Sequence, residues 1–93
     1  MSSRRWQVVI ASPAARDVDR LPMKIAAAAL EAIHSIGADP HRMGKRLHLE
    51  LKGQWSARRG PYRIIYSIDE SSHTITVTAI AHRADVYRRA RRS

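Results

Sequence analysis

Cysteine is absent from this 93-residue chain, and so is phenylalanine. Without thiols there is no disulfide staple, no thiolate metal site and no sulfur nucleophile. Without phenylalanine the core must come from Ile, Val, Leu and Ala, helped by only two Trp and three Tyr. Acid is scarce as well: eight Asp and Glu stand against 17 Lys and Arg, a formal charge of +9 with the five histidines neutral. Long apolar runs are missing. Val8-Val9-Ile10, behind Arg4-Arg5, is too short for a signal-peptide core and is soon followed by Arg16, Asp17 and Asp19. Nothing approaches the roughly 20 apolar residues of a membrane span. These absences predict a cytoplasmic chain with no membrane partner.

What remains is 44% hydrophobic residues, enough for one small core. The length predicts a single domain over residues 1–93 with a basic tail at 88–93, and excludes any large dinucleotide-binding architecture. Fourteen of the 17 basic residues are Arg, which grips phosphate bidentately and stacks on bases. A polyanion is the first expected partner.

Residues 6–11 read as a strand, and Ser12-Pro13 as an N-cap with a first-turn proline. Ala14 to Leu21 is a predicted short helix. Ile25, Ala29, Ile33 and Ile36 then recur at helical spacing, with Gly37 placed as the left-handed residue past the helix end. Residues 38–46 read as a polar, basic loop. From Leu47 the period becomes two, through Leu49 and Leu51, before a turn at Lys52-Gly53-Gln54. Trp55–Arg59 and Tyr62–Ile68 are predicted strands, with Arg63, Ile65 and Ser67 on one face and Ile64, Tyr66 and Ile68 on the other. A loop at 69–72 leads to a partner strand over His73–Ala81 and a short Arg-rich helix from Ala84. Together these give an α+β fold: an N-terminal strand, a helical hairpin, a three- to four-stranded twisted antiparallel sheet and a short C-terminal helix.

The basic charge is uneven. Arg42, Lys45, Arg46, Lys52, Arg58, Arg59 and Arg63 share their stretch with one acid, Glu50. Arg83, Arg88, Arg89, Arg91 and Arg92 share theirs with Asp85 alone. The first 37 residues are nearly balanced. Arg63 sits in mid-strand opposite an apolar face, so it is expected on an exposed platform where a nucleic acid strand could lie. A merely solvated, solubilising face is the plainer alternative. His34, His41, His48 and His73 read as surface or loop residues, whereas His82 directly follows the last strand.

Three segments recur together: Leu51-Lys52-Gly53-Gln54-Trp55-Ser56-Ala57-Arg58-Arg59-Gly60, Tyr62-Arg63-Ile64-Ile65-Tyr66 and His82-Arg83-Ala84-Asp85-Val86-Tyr87. With Ser12-Pro13-Ala14-Ala15-Arg16-Asp17 and Leu21-Pro22, they resemble the RelE branch of the RelE/ParE superfamily of type II toxin–antitoxin toxins, from about Trp6 to Tyr87. The resemblance implies a metal-independent endoribonuclease that cuts mRNA in the ribosomal A site by 2′-hydroxyl transesterification and arrests translation. It needs no cofactor. Its expected partners are mRNA, the ribosome and a RelB-like antitoxin, acidic or amphipathic, that wraps the toxin over the helical hairpin or the basic face. ParE-type members share the fold and poison DNA gyrase. That action, or a non-catalytic basic RNA-binding module, is the alternative function.

Such cleavage needs a base for the 2′-hydroxyl, cations for the phosphorane-like transition state and an acid for the 5′-oxygen. The resemblance assigns Arg63 to phosphate stabilisation, Arg58 to a second basic position and Tyr87 to a substrate contact. Either His82 or Arg83 matches a further functional position. Some relatives carry a lysine base where this chain has Ser56, which leaves His82 as the candidate acid or base, its ordinary pKa lying near 6.5. Arg42, Lys45, Arg46, Lys52, Trp55, Arg59, Arg88 and Arg89 are expected to bind the RNA around them.

Overall fold

The computed structural model describes residues 5–47 and 53–85. The chain runs through β1 (Gln7–Ile10), α1 (Ser12–Arg20), α2 (Met23–Ala38), α3 (Pro40–Met43), β2 (Lys45–Arg46), β3 (Gln54–Arg59), β4 (Tyr62–Asp69) and β5 (Thr74–His82). The strands form one five-stranded sheet in the order β1-β5-β4-β3-β2. β1 runs parallel to β5, and every other neighbouring pair is antiparallel. This is the α+β fold read from the sequence, with the N-terminal strand closing the far edge of an antiparallel sheet. No helix among the described residues is long and apolar enough to cross a membrane.

Several local expectations are corrected. Pro13 does lie in the first turn of α1, but the cap residue is Ala11 and no side chain caps the helix. The Ala11 N–H is donated to Val77 O at 2.9 Å, so strand pairing continues up to the helix start and leaves Ser12 already helical. Gly37 is not the left-handed residue beyond α2; it lies inside the helix, which runs to Ala38 with Asp39 as its cap. Its missing side chain serves close approach: a Cβ there would come within 3.0 Å of Val8 Cγ2 and 2.7 Å of Arg5 Nη2. The expected loop at 38–46 contains α3 and β2, because Pro40 is buried and its carbonyl accepts the Tyr66 hydroxyl at 2.7 Å.

The last strand begins at Thr74, one residue later than read, since His73 has φ 56° and closes the turn. Of the alternating leucines, Leu49 and Leu51 lie outside the described residues. The C-terminal helix does not start at Ala84, where the chain is in a turn, and its continuation from Val86 lies outside the described residues as well. At the tip of the β3–β4 hairpin, Gly60 adopts φ 59°, the conformation that favours glycine.

Alternation along the strands divides the sheet into two faces. One packs on the helices: Ala14 of α1 and Ala29, Ile33 and Ile36 of α2 meet Ala57, Ile64, Tyr66, Ile75, Val77 and Ile80. The other carries a small cluster of Ile65, Ala79 and Ala81, with Leu47 packed against it. A β-bulge breaks the alternation in β5. Ile65 pairs with Ala79 while Tyr66 pairs with Val77, so Thr78 is the extra residue. Its hydroxyl is donated to Ile65 O at 3.3 Å. Past the bulge, even-numbered residues face the helices. Beside it, the buried Asp17 of α1 accepts the Ile80 N–H at 2.9 Å, which ties α1 to β5.

Candidate nucleic-acid interface

The face away from the helices places Arg58 directly opposite Arg63 across β3 and β4. Side chains so paired have Cβ atoms about 4.5–5.5 Å apart, and like charges there are destabilising. No carboxylate among the described residues pairs with either guanidinium. Arg63 is half-buried, with Nη1 donating to Tyr62 O at 3.4 Å, while Arg58 is exposed. Ala81 lies beside Arg63 on β5. One step along the sheet, Lys45, Ser56, Ile65 and Ala79 form the next cross-strand row on this face. Two guanidiniums and an ammonium therefore share one surface with small or apolar residues between them. Such a surface can take the non-bridging oxygens of a phosphodiester through several charge-assisted hydrogen bonds. The expected platform exists, but its centre is buried rather than open: Ile65, Ala79 and Ala81 are each under 9% exposed.

Other expected site residues are placed elsewhere. His82 pairs with Tyr62 on the helix-facing side, their ring centroids 5.8 Å apart, and its Nδ1 accepts the Ala84 N–H at 3.2 Å. The bulge turns it away from Arg63. Arg59 follows on the same row and its guanidinium meets Glu31 of α2 at 3.4 Å. Trp55 packs against the main core, stacked 6.4 Å from Tyr66, and Arg46 lies 5.8 Å over its ring. Arg42 is exposed on α3. Arg83 is exposed in the turn after β5, and its N–H, donated to Pro61 O at 2.8 Å, anchors that turn to the β3–β4 hairpin tip. Lys52, Tyr87, Arg88 and Arg89 lie outside the described residues.

Two histidines read as ordinary loop residues belong to an aromatic assembly at the opposite end of the sheet. Trp6 stacks on His73 at 3.9 Å, and His41 stands edge-on to both Trp6 and Trp55 at 5.6 and 5.5 Å. His41 Nε2 lies 2.7 Å from Glu70 Oε2. These residues come from distant parts of the chain, so no local spacing announces them. Behind them, burial and the charge of Asp39 push the Tyr66 hydroxyl up to about 12. Asp69 is held below its ordinary range by the Ser71 hydroxyl and by the Ser72 N–H, both donating to it in the β4–β5 turn. On the helix-facing side an apolar cavity of about 210 Å³ opens between α2 and the hairpin tip, bordered by Lys24, Ile25, Ala28, Arg59, Pro61 and Tyr62.

Known proteins resemble this chain over most of its length. The family profile described as "ParE toxin of type II toxin-antitoxin system, parDE" matches residues 8–87. Toxin RelE of Mycobacterium tuberculosis is 46% identical over 84 residues, 89% of this chain and 87% of that protein. Toxin RelG of the same organism is 44% identical over 85 residues, 90% of this chain and 98% of that protein. A crystal structure of the M. tuberculosis RelBE2 toxin–antitoxin complex contains a chain that superposes with a TM-score of 0.81 at 40% identity, covering 87% of this chain and 94% of that one.

Proposed function

This chain belongs to the ParE toxin family of type II toxin–antitoxin systems, on its RelE branch, and from that premise we propose that it is an endoribonuclease acting on mRNA at the ribosome in the cytoplasm. The observation that carries the reading is the unneutralised Arg58–Arg63 pair on the face opposite the helices. Two like charges held side by side cost stability unless an anion comes between them.

In this reading the scissile phosphate lies across Arg58 and Arg63. The 2′-oxygen forms a bond to phosphorus, the bond from phosphorus to the 5′-oxygen breaks, and the guanidiniums hold the charge that grows on the non-bridging oxygens. Arg83, anchored beside the hairpin tip, extends the cationic surface. His82 pairs with Tyr62 on the helix-facing side, so this reading does not set it against the phosphate. Ribosomal positioning of the mRNA lowers the barrier further by fixing the attack geometry. An antitoxin of the RelB kind, acidic where it meets Arg58 and Arg63, silences the protein by occupying the phosphate site.

The test supplies purified protein with translating ribosomes and a defined mRNA. The wild-type chain cuts the mRNA and Arg63→Ala, shown folded by circular dichroism, does not. A folded Arg63→Ala variant that cuts at the wild-type rate overturns the assignment. The second reading is the gyrase poisoning implied by the resemblance to ParE-type members. Inhibited supercoiling by gyrase without mRNA cleavage would transfer the reading to it.

A further inference from the structure

Expelling a 5′-alkoxide from phosphorus requires a proton for the departing oxygen. Arg58 and Arg63 cannot supply it, because a guanidinium stays protonated at any working pH. The described side chains next to them on this face are Lys45, Ser56, Ile65 and Ala81. Only an ammonium among these is an acid able to release a proton in neutral water. His82, the one imidazole near the arginines in the sequence, points to the other face.

The register brings Lys45 to the site. It lies directly opposite Ser56, which puts it diagonally across from Arg58. Diagonal neighbours on one face are about 7–8 Å apart, within reach of long side chains. Leu47, two residues on, packs against Ile65, Ala79 and Ala81, and this fixes the side from which Lys45 emerges. Arg46 between them turns the opposite way, over Trp55. Lys45 is exposed, and no carboxylate among the described residues pairs with it. Between the ammonium and the guanidiniums the β3 position is the small Ser56.

We propose that Lys45 is the catalytic acid of the arginine-bearing face, giving its Nζ proton to the 5′-oxygen as that oxygen leaves phosphorus. The inference rests on the nuclease reading above. The bond from the 2′-oxygen to phosphorus forms, and the 2′-hydroxyl proton passes to solvent water. The bond from phosphorus to the 5′-oxygen breaks and the proton from Lys45 completes a 5′-hydroxyl. The products are a 2′,3′-cyclic phosphate and a 5′-hydroxyl end, and the neutral amine regains a proton from water.

The test uses Lys45→Arg and Lys45→Ala on ribosome-bound mRNA whose cleaved linkage has first been mapped with the wild-type protein. Each variant is assayed on the normal linkage and on one with sulfur in place of the bridging 5′-oxygen. A thiolate leaves without a proton. Both substitutions should slow the normal linkage by about 100-fold or more, the usual contribution of a positioned acid. Both should cut the sulfur linkage at close to the wild-type rate. Lys45→Arg at wild-type speed on the normal linkage would reduce Lys45 to a charge and overturn the proposal. Equal slowing on both linkages would overturn it too, by showing a positioning role. A wild-type protein that leaves mRNA uncut would instead overturn the nuclease reading beneath it.

Discussion

The two faces of the sheet are made from alternate residues of the same strands, and they are built to opposite ends. Toward the helices, Ile64, Tyr66, Ile75, Val77 and Ile80 are almost fully buried, the Tyr66 hydroxyl has its acceptor in Pro40 and Arg59 has its carboxylate in Glu31. On the other side, Arg58 and Arg63 stand opposite each other without a carboxylate among the described residues. A protein that needed both faces only for stability would neutralise both. The contrast sets a structural face against the one on which the proposed phosphate site lies.

Substitutions can break that division if it is wrong. The largest expected effect is on the arginine-bearing face: Arg63→Ala should lower mRNA cleavage by about 10²–10³-fold, the loss typical of one transition-state donor, with the melting temperature nearly unchanged. On the helix-facing side the effects should fall on stability. Asp17→Ala strands the Ile80 N–H beside the bulge, and denaturant titration should show a loss of about 1–3 kcal/mol. Tyr66→Phe leaves Pro40 O without its 2.7 Å donor and should cost about 1 kcal/mol or somewhat more.

The same tyrosine gives a pH signature. Its hydroxyl is raised from 10.0 to about 12 in the fold, so the neutral form is favoured there. That contribution is complete below pH 10 and is lost between pH 10 and about 12. Urea titrations across this range should show the wild type losing stability that Tyr66→Phe does not. The smallest effects sharpen the division. His82→Ala should leave cleavage within a few-fold of wild type, and a folded His82→Ala variant without activity would show that the rim joins the two faces. Glu31→Gln removes an exposed ion pair and should shift stability by less than about 1 kcal/mol.

Arg63 was legible because its strand alternates cleanly, with Ile64 and Tyr66 on the apolar side. The place of His82 was not. The extra residue in β5 lies in Thr78-Ala79, a stretch with neither glycine nor proline to mark it, and it shifts every later side chain to the other face. Gly37 misled for a different reason: a glycine after an apolar helical run reads as a helix stop, whereas here it admits Val8 from β1. The assembly of Trp6, His41, Trp55 and His73 is a tertiary meeting that a one-dimensional pattern cannot hold. The family resemblance supplied the fold and the toxin class, and the profile matching residues 8–87 agrees with it. The cross-strand register then showed which of the basic residues share a surface.

The parallel pairing of β1 with β5 sets Gln7 opposite Thr74, with most of the described chain between them. Contacts between distant parts of a chain form late, because loop closure must precede them. As the polypeptide emerges from the ribosome, β1 and the apolar sides of α1 and α2 are made well before the strand that covers them. Arg58 and Arg63 face each other across the local β3–β4 hairpin, and β5 backs that hairpin only afterwards. A chain interrupted before β5 carries the arginine hairpin without the strand that backs it. On the proposed reading, the full sheet that carries the phosphate site therefore exists only once nearly the whole described chain has emerged.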